Sequence, residues 1–271
     1  MNICICTIIK NELEEYLDDF INYHLNLGID HFFFFEDTDS LSHEQILAKY
    51  PSEQVTLLNI GTILDNHLIY TTSMYKSLAH GVYYRKALWY VKKHYEAVYD
   101  WCFATDIDEY ITLRNTETSS ENIKKLLMSY NDYDAIWLHW QNFNANGHIH
   151  KPDYSKKGIV YTYTQPCGSF SNSNVTTNSK FVYNLNRYQK HFLLNQHRIH
   201  HSCNYFESDI LYLRHYIMKS WEEFVWKLKI RGTFSKKHRS IDDFFLLNPD
   251  LEPKKNELIE LMNQIIHKNE K

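Results

Sequence analysis

The stretch that decides the fold is residues 3–37, "ICICTIIKNELEEYLDDFINYHLNLGIDHFFFFED". Its first seven residues are β-branched or apolar, which is typical of a strand that is buried on both faces of a parallel sheet. The apolar residues that follow repeat near helical spacing as far as Gly28, and glycine commonly ends a helix. Four phenylalanines at 32–35 then predict a second buried strand. The order strand, helix, strand indicates a parallel α/β sheet.

The same alternation continues to about residue 130. The patterns predict a short helix at 42–51, a strand at 54–60, a long aromatic-rich helix at 72–97 and a strand at 101–108. This order favours a doubly wound, mostly parallel sheet that is flanked by helices. In such sheets, ligands bind outside the carboxyl ends of the strands.

The character of the sequence changes from about residue 134. Short strand-like runs lie between turn residues, at 135–143, 158–166, 180–186, 197–202 and 209–217. A helix is expected at 220–230. Residues 254–267 predict an amphipathic helix, which would either dock on the core or lie on a membrane surface. We expect one domain in which a catalytic half is joined to a nucleotide-type half.

The composition bounds the class of protein. The chain has 271 residues, of which 44% are hydrophobic and 23% charged, as in an ordinary soluble globular protein. The formal net charge of −4 argues against bulk electrostatic binding to nucleic acid. Five scattered cysteines without a C-x-x-C pair favour a reducing compartment. The apolar run near residue 1 is too short for a secretory signal, so we expect a cytoplasmic protein.

Three carboxylates, Asp106, Asp108 and Glu109, follow the predicted strand in "DWCFATDIDEYITL", residues 100–113. Because like charges repel, the segment is either a solvated turn or a place where something positive lies among the acids. In a strand, Asp106 and Asp108 would point to the same face. There they could bind Mg²⁺ or Mn²⁺ and leave room for substrate phosphates. Glu109 would point the other way, as a supporting group.

Other polar groups extend this hypothesis. His215 could complete a metal shell, and Lys219 could neutralise a phosphate. The histidines at 197–201 favour packing or substrate contacts over zinc, because no cysteine or fourth ligand accompanies them. The basic run at 227–239 is either a solvated face or a contact for diphosphate, an acidic acceptor or anionic lipid. Dehydrogenase, Walker-type ATPase, α/β-hydrolase and zincin signatures do not occur in the sequence.

Four motifs in order, between about residues 3 and 245, resemble the family 2-like and family 92-like glycosyltransferases of the GT-A fold. They are the opening segment, "DWCFATDIDEYI", "WLHWQNFNANGH" and "LRHYIMKSWEEFVWKLKIRG". Two departures from the family pattern stand out. Asn144, Ala145 and Asn146 replace a Gly-Ser-Ser run on the presumed acceptor side, and Arg214 replaces the usual Asn before His-Tyr.

The resemblance implies a Rossmann-like GT-A fold with a mostly parallel central sheet, a mixed-strand acceptor half and C-terminal helices. Within a single domain at 1–271, the nucleotide-sugar half would span 1–133, the acceptor half 134–250 and the amphipathic helix 251–271. The implied reaction is metal-dependent, inverting transfer of a hexose from a UDP-sugar of the UDP-galactose or UDP-glucose type. The acceptor would be a saccharide or lipid-linked saccharide in surface polysaccharide or lipopolysaccharide synthesis.

The resemblance also implies roles for individual residues. Asp106, Asp108 and His215 would hold Mn²⁺ or Mg²⁺, with Lys219 and Asp106 also at the donor diphosphate. The nucleoside pocket would contain Thr7, Lys10, Asn11, Glu12 and Glu36. His80, Tyr84 and Arg85 would face the donor. Trp140, Phe143 and His148 would contact the acceptor. The sequence leaves four candidates for a general base, namely Glu207, Asp209, Asp242 and Asp243.

Two other functions remain open at this point. A metal-dependent phosphohydrolase or nucleotidyltransferase could use the same carboxylates. A non-catalytic carbohydrate-binding module could use the aromatic surface, because tyrosine and tryptophan offer flat faces to sugars. The protein could also contact the inner face of a membrane, through residues 227–239 or the C-terminal helix.

Overall fold

The structure is a computed structural model. It describes residues 1–37, 40–63, 76–168, 179–188, 197, 199, 202–231 and 240–269, with the side chains of 76–80, 230–231 and 268–269 outside that description. The chain divides into two compact units. The first comprises residues 1–140 and 175–213, and the second comprises residues 141–174 and 214–271.

The first unit contains an eight-stranded sheet with helices around it. Its strands are β1 (Ile3–Ile9), β2 (His31–Glu36), β3 (Val55–Asn59), β4 (Trp101–Ala104), β5 (Glu109–Leu113), β6 (Ala135–Asn142), β7 (Ser179–Asn184) and β8 (Tyr205–His215), where the last two residues of both β6 and β8 pass into the second unit. Its helices are α1 (Glu14–Asn26), α2 (Glu44–Leu47), a 3₁₀ turn (Ile60–Thr62), α3 (Lys76–Tyr95) and α4 (Ser120–Ser129).

The strand order is β3-β2-β1-β4-β7-β6-β8-β5. Strands β3, β2, β1 and β4 pair in parallel, whereas β7 runs antiparallel to both β4 and β6. The predicted fold class is therefore confirmed in part: the fold is α/β with flanking helices and is consistent with a GT-A-like fold, but the sheet is mixed and not strictly parallel. The predicted acceptor half contributes strands to the same sheet. Residue patterns show where a strand lies but not which neighbour it pairs with or in which direction.

The four phenylalanines of β2 are all fully buried. The ring of Phe32 packs on Phe20 of α1 at 6.1 Å, and the ring of Phe33 packs on Tyr95 of α3 at 4.6 Å. Successive side chains of a strand point to opposite faces, so helices cover the sheet on both sides. This explains why the strand is apolar along its whole length.

His24 connects α1 to the edge strand β5. The side chain is fully buried, its Nδ1 contacts the carbonyl of Phe20 at 2.8 Å, and its Nε2 accepts the N–H of Ile111 at 3.2 Å. Burial lowers the pKa of His24 to about 3. The imidazole is therefore neutral at physiological pH, which matches its role as an acceptor.

Gly28 ends the first helical segment as the sequence predicted. Its φ is +78°, and a Cβ at this position would lie 2.0 Å from Ser120 Oγ and 2.8 Å from Ser120 Cβ. A left-handed conformation costs a residue with a Cβ about 1–2 kcal/mol, and the clash adds to this cost.

We expect Gly28→Ala to lower the free energy of unfolding by about 2–3 kcal/mol, measured by urea denaturation. Gly168→Ala is the matched control, because a Cβ there meets nothing within 4 Å. The double variant Gly28→Ala/Ser120→Gly should recover part of the loss, since it removes the atoms of the clash. Equal stability of Gly28→Ala and the wild type would contradict this account.

The described part of the second unit contains several helices together with the ends of β6 and β8. It contains α5 (Ile159–Thr162), α6 (Trp221–Val225) continued by a π-helical segment (Trp226–Arg231), α7 (Ile241–Leu247), a 3₁₀ segment (Pro249–Lys254) and α8 (Lys255–Asn269). The strand predicted at 158–166 is wrong, because Ile159–Thr162 forms a helical turn. The hydroxyl of Thr162 donates to the carbonyls of Lys157 and Gly158, each at 3.0 Å, and these bonds favour the turn.

The helix α8 docks on the core of the second unit. Leu258 and Met262 are buried in a cluster with Trp221 and Phe244. The other apolar residues of the predicted face pack against the same cluster, namely Ile259, Leu261, Ile265 and Ile266. The predicted amphipathic face is thus confirmed and serves packing. Among the described residues, no helix is both long enough and apolar enough to span a bilayer.

Glu223 is the centre of a buried polar network in the second unit. Its carboxylate accepts hydrogen bonds from the hydroxyls of Tyr154 at 2.5 Å, Tyr163 at 2.6 Å and Ser220 at 2.7 Å. Ser220 in turn caps the first turn of α6 by accepting the N–H of Glu223. Burial alone would raise the pKa of Glu223, but the charge of Lys219 and these donors hold it below its ordinary value.

Candidate active site

Because β1, β2 and β4 are parallel, the residues that follow them lie at the same edge of the sheet. After β1, the chain turns at Asn11, whose φ is +48°. The Oδ1 of Asn11 accepts the N–H of Leu41 at 2.7 Å, and Lys10 Nζ donates to Asp37 Oδ2 at 2.8 Å. These contacts tie the loop after β1 to the loop after β2. The predicted pocket residues Lys10 and Asn11 thus lie beside the end of β2.

His43, which is not among the predicted site residues, joins two other predicted pocket residues. The side chain is 2% exposed, its Nε2 accepts the N–H of Glu12 at 2.8 Å, and its Nδ1 donates to Glu36 Oε1 at 2.8 Å. Since Nε2 accepts, the proton of the neutral ring is on Nδ1. Glu36 and the Lys-Asn-Glu segment are therefore held together through one imidazole. A lone histidine in "SHEQ" carries no local signal of this role.

Of the three acids, Asp106 and Asp108 lie outside the strands, and Glu109 is the first residue of β5. Strand β4 ends at Ala104 and β5 begins at Glu109, so Asp106 and Asp108 lie in the connection between them, which we call the carboxylate turn (residues 105–109). The strand predicted at 101–108 is wrong beyond residue 104. The alternation of a strand therefore does not place Asp106 and Asp108 on the same face. Glu109 Oε2 accepts the N–H of Asp106 at 2.9 Å, and the Glu109 N–H donates to the Asp106 carbonyl at 3.0 Å.

A positive charge does lie among the acids. Lys180 of β7 is fully buried, and its Nζ lies 2.9 Å from Asp106 Oδ2 and 3.5 Å from Glu109 Oε2. The same ammonium lies 4.9 Å from the ring centroid of Tyr84. The carboxylate turn is therefore neither a solvated loop nor an uncompensated cluster. Lys180 was not among the predicted site residues.

Tyr84 supports the carboxylate turn from the interior. Its hydroxyl lies 2.7 Å from Asp106 Oδ1 and 2.6 Å from the carbonyl of Thr105, and its ring is fully buried. The structure therefore places Tyr84 behind Asp106 rather than at an open surface. The neighbouring Arg85 is exposed, Thr7 is buried on β1, and the side chain of His80 lies outside the described residues.

The electrostatics of the carboxylate turn follow from burial and this pairing. Glu109 is fully buried, and desolvation raises its pKa well above the ordinary value in spite of the charge of Lys180. Burial alone would lower the pKa of Lys180, but the neighbouring carboxylates outweigh it and raise the pKa. Lys180 therefore stays charged. Asp106, whose side chain is 27% exposed, is the more accessible partner of this ammonium.

One of the predicted acceptor residues also lies near Lys180. The Trp140 ring centroid is 6.0 Å from Lys180 Nζ and 5.5 Å from the ring of His197. His197 Nδ1 contacts the carbonyl of Ser179 at 2.6 Å. Within the first unit, the structure thus brings an indole face near the acids. His200 and His201 lie outside the described residues.

The remaining predicted site residues of the acceptor and metal groups belong to the second unit. His215 is buried, and its Nδ1 lies 2.9 Å from Asn142 Oδ1. Phe143 is buried with the guanidinium of Arg214 5.4 Å from its ring centroid, and His148 packs edge-on against Tyr163. Lys219 does not share a helical face with His215, since β8 ends at His215 and α6 begins at Trp221.

The four candidates for a general base have other contacts or surroundings. Glu207 lies 2.7 Å from His139 Nε2, and Asp209 is exposed on β8. Asp242 pairs with Lys255 at 3.0 Å, and the Asp243 carboxylate accepts from Ser240, the N-cap residue of α7, in a capping box. A capping role explains the position of Asp243 without chemistry. All four assignments stay predictions.

The carboxylate turn fits a cation that shares its coordination with a substrate. Among the described residues, no group of three or more His, Cys, Asp or Glu side chains could hold a metal ion. Asp106 and Asp108 nevertheless offer two carboxylates, and each can accept more bonds than one ammonium or hydroxyl provides. Mg²⁺ is usually bound by one or two carboxylates together with substrate phosphates and water. Two acids therefore suit a cation that a diphosphate completes.

The fold and the carboxylate turn place this chain among the α/β proteins whose polar site lies at the carboxyl ends of parallel strands. Residues 1–252 match Glycosyltransferase family 92, and the chain belongs to that family. It is therefore a glycosyltransferase. The resemblance seen in the four motifs is confirmed for family 92.

Other comparisons add no function. No curated protein matches the chain. Similar solved structures include 4-diphosphocytidyl-2C-methyl-D-erythritol synthase from Anaerococcus prevotii, with 8% identity, a TM-score of 0.38 and coverage of 93% of this chain and 98% of that chain. HddC from Yersinia pseudotuberculosis is another, with 10% identity, a TM-score of 0.41 and coverage of 79% and 93%. At these TM-scores, the likeness carries no inference about activity.

Proposed function

We propose that this glycosyltransferase moves a hexose from a UDP-sugar to a saccharide hydroxyl with inversion, and that Mn²⁺ or Mg²⁺ assists the reaction. The single observation that carries the proposal is the carboxylate turn, which presents Asp106 and Asp108 at the carboxyl end of β4. Family membership favours sugar transfer over the phosphohydrolase, nucleotidyltransferase and non-catalytic alternatives.

Asp106 and Asp108 would hold the cation, which when bound stabilises the negative charge of the departing nucleoside diphosphate. Lys180 and Tyr84 fix the Asp106 carboxylate from behind, so the turn needs little rearrangement when a ligand arrives. The loops after β1 and β2 are joined by His43, and they would line one side of the nucleoside pocket. His215 stays a proposed further ligand and Lys219 a proposed phosphate contact.

Three side chains are proposed to contact the acceptor. Trp140 offers an indole face for a sugar ring, and Phe143 and His148 remain proposed contacts on the second unit. A single displacement with inversion needs a base at the attacking hydroxyl. Glu207, Asp209, Asp242 and Asp243 remain the candidates for that base.

We also propose a cytoplasmic enzyme of surface polysaccharide or lipopolysaccharide synthesis that meets lipid-linked saccharides at the inner face of the membrane. The apolar face of α8 is packed in the second unit. The basic segment 227–239, most of which lies outside the described residues, is therefore the better proposed contact with anionic lipid.

A panel of nucleotide sugars tests the reaction. With Mn²⁺ present, we expect the protein to hydrolyse or transfer a UDP-hexose and to release free UDP, and a chelator should abolish the signal. Release of inorganic phosphate or pyrophosphate instead would favour the phosphohydrolase or nucleotidyltransferase. Tight sugar binding without metal and without turnover would favour the binding module.

A further inference from the structure

The buried ammonium in the carboxylate turn has a consequence for cation binding. Lys180 is fully buried and contacts both Asp106, at 2.9 Å, and Glu109, at 3.5 Å. Its stem runs from the central strand β7, which is paired on both sides by β4 and β6. The charge therefore cannot swing away into solvent as an exposed lysine would. It is a fixed positive charge within the group of acids.

The positive charge of Lys180 would repel a divalent cation at Asp106 and Asp108. Lys180 already compensates one carboxylate, and its own repulsion acts on any second cation nearby. Charges a few ångströms apart near a protein surface, at an effective dielectric constant of about 20, interact strongly enough to change a binding constant by roughly tenfold or more. The two acids alone should then hold a dication weakly. A diphosphate bound beside them would supply the missing negative charge.

We propose that Lys180 is a positioning residue and an internal counter-ion, which keeps the affinity of the carboxylate turn for a divalent cation low until a donor diphosphate binds. Cation and donor then bind together, because each raises the affinity for the other by the same factor. This inference rests on the proposed function, since it assumes that the carboxylate turn receives a cation and a nucleotide diphosphate. It assigns Lys180 no contact with the substrate.

The test measures Mn²⁺ binding directly, from the electron paramagnetic resonance signal of free Mn²⁺, with and without UDP. For the wild type we expect weak binding of Mn²⁺ alone, which UDP strengthens roughly tenfold or more. Lys180→Met removes the charge, so Mn²⁺ alone should bind roughly tenfold tighter or more, and the effect of UDP should shrink. Lys180→Arg keeps the charge and should resemble the wild type.

A second buried lysine gives the matched control. Lys92 of α3 is 3% exposed, and its Nζ contacts Glu96 and the carbonyl of Leu185, both outside the carboxylate turn. Lys92→Met should lower the melting temperature without changing the affinity for Mn²⁺. A merely structural role of Lys180 would make the two methionine variants behave alike.

Lys180→Gln is measured together with Lys180→Met. Glutamine removes the charge but keeps a hydrogen-bond donor toward Asp106, so the test still works if Lys180→Met does not fold. A folded uncharged variant that binds Mn²⁺ alone no tighter than the wild type overturns the inference. So does a wild type in which UDP leaves the affinity for Mn²⁺ unchanged. A wild type that binds neither Mn²⁺ nor UDP contradicts the proposed function itself, which distinguishes the two failures.

Discussion

Replacing Asp106 and Asp108 together by asparagine is expected to lower kcat/KM for the UDP-sugar by about 10³-fold or more, since a bound cation contributes several kcal/mol of charge stabilisation. Asparagine keeps the size of each side chain and removes the negative charge. The melting temperature should also fall, because the Asp106 change removes the nearest counter-charge of the buried Lys180, so rates are compared at a temperature at which both proteins are folded. Initial rates of UDP release with saturating Mn²⁺, together with calorimetry of UDP-sugar binding, measure the effect.

Asp153→Asn is the matched control for this double variant. Asp153 is an exposed acid in a turn of the second unit, where it pairs with Lys156 at 3.1 Å. The Asp153 carboxylate is bound by Ser155 and Lys156 of its own turn, so the rate of Asp153→Asn should equal that of the wild type. If Mn²⁺-dependent binding of a UDP-hexose survives the Asp106 and Asp108 changes, the metal assignment is wrong.

Glu223→Gln is expected to lower the free energy of unfolding by about 3–5 kcal/mol, the usual cost of removing one partner from a buried charge network. The carboxylate is 5% exposed and serves Tyr154, Tyr163 and Ser220 at once. An amide offers one oxygen to these donors where the carboxylate offers two. It also leaves the charge of Lys219 without this counter-charge. Urea denaturation at neutral pH measures the difference.

Glu222→Gln tests the same change of group at the neighbouring position. The Glu222 side chain is 43% exposed, so its loss should change stability by no more than about 0.5 kcal/mol. A loss of stability in Glu223→Gln as small as that of Glu222→Gln would contradict the network described here.

The contribution of Glu223 to the free energy of unfolding should be lost at acid pH. The folded protein holds the pKa of this carboxyl below its ordinary value. Its contribution is therefore fully present above the ordinary pKa of a glutamate, about 4.3, and is lost as the pH falls through the lower folded value. The difference between wild type and Glu223→Gln should shrink as the pH falls below about 4.

Much of the first half of the fold could be predicted from local patterns. The strand at 3–9, the helix up to Gly28 and the phenylalanine strand all lie where their periodicity and end signals placed them. These signals involve residues that are close in sequence, and burial on both faces of the sheet makes them strong. The amphipathic face of α8 could be predicted for the same reason.

The sequence predicted the acids of the candidate site but not two of the groups that hold them in place. Lys180 contacts Asp106 across 74 positions of sequence, and nothing in the segment around Lys180 distinguishes it from a surface lysine. His43 is likewise identified only by its partners Glu12 and Glu36. The strand predicted for Asp106 and Asp108 is wrong, because the change from apolar to polar residues after Ala104 does not show at which residue the strand ends.

By itself, the sequence determined the strand-helix-strand order at 3–37, the gathering of three carboxylates behind β4 and, through the motifs, the glycosyltransferase family. Only the tertiary structure decided the direction of β7 in the sheet and the ammonium that balances those carboxylates. Periodicity reports how a residue's own segment is buried. The partner of a buried charge depends on packing between segments that are distant in sequence. A buried charge without a partner would destabilise the fold, so a side chain of opposite charge must lie beside it.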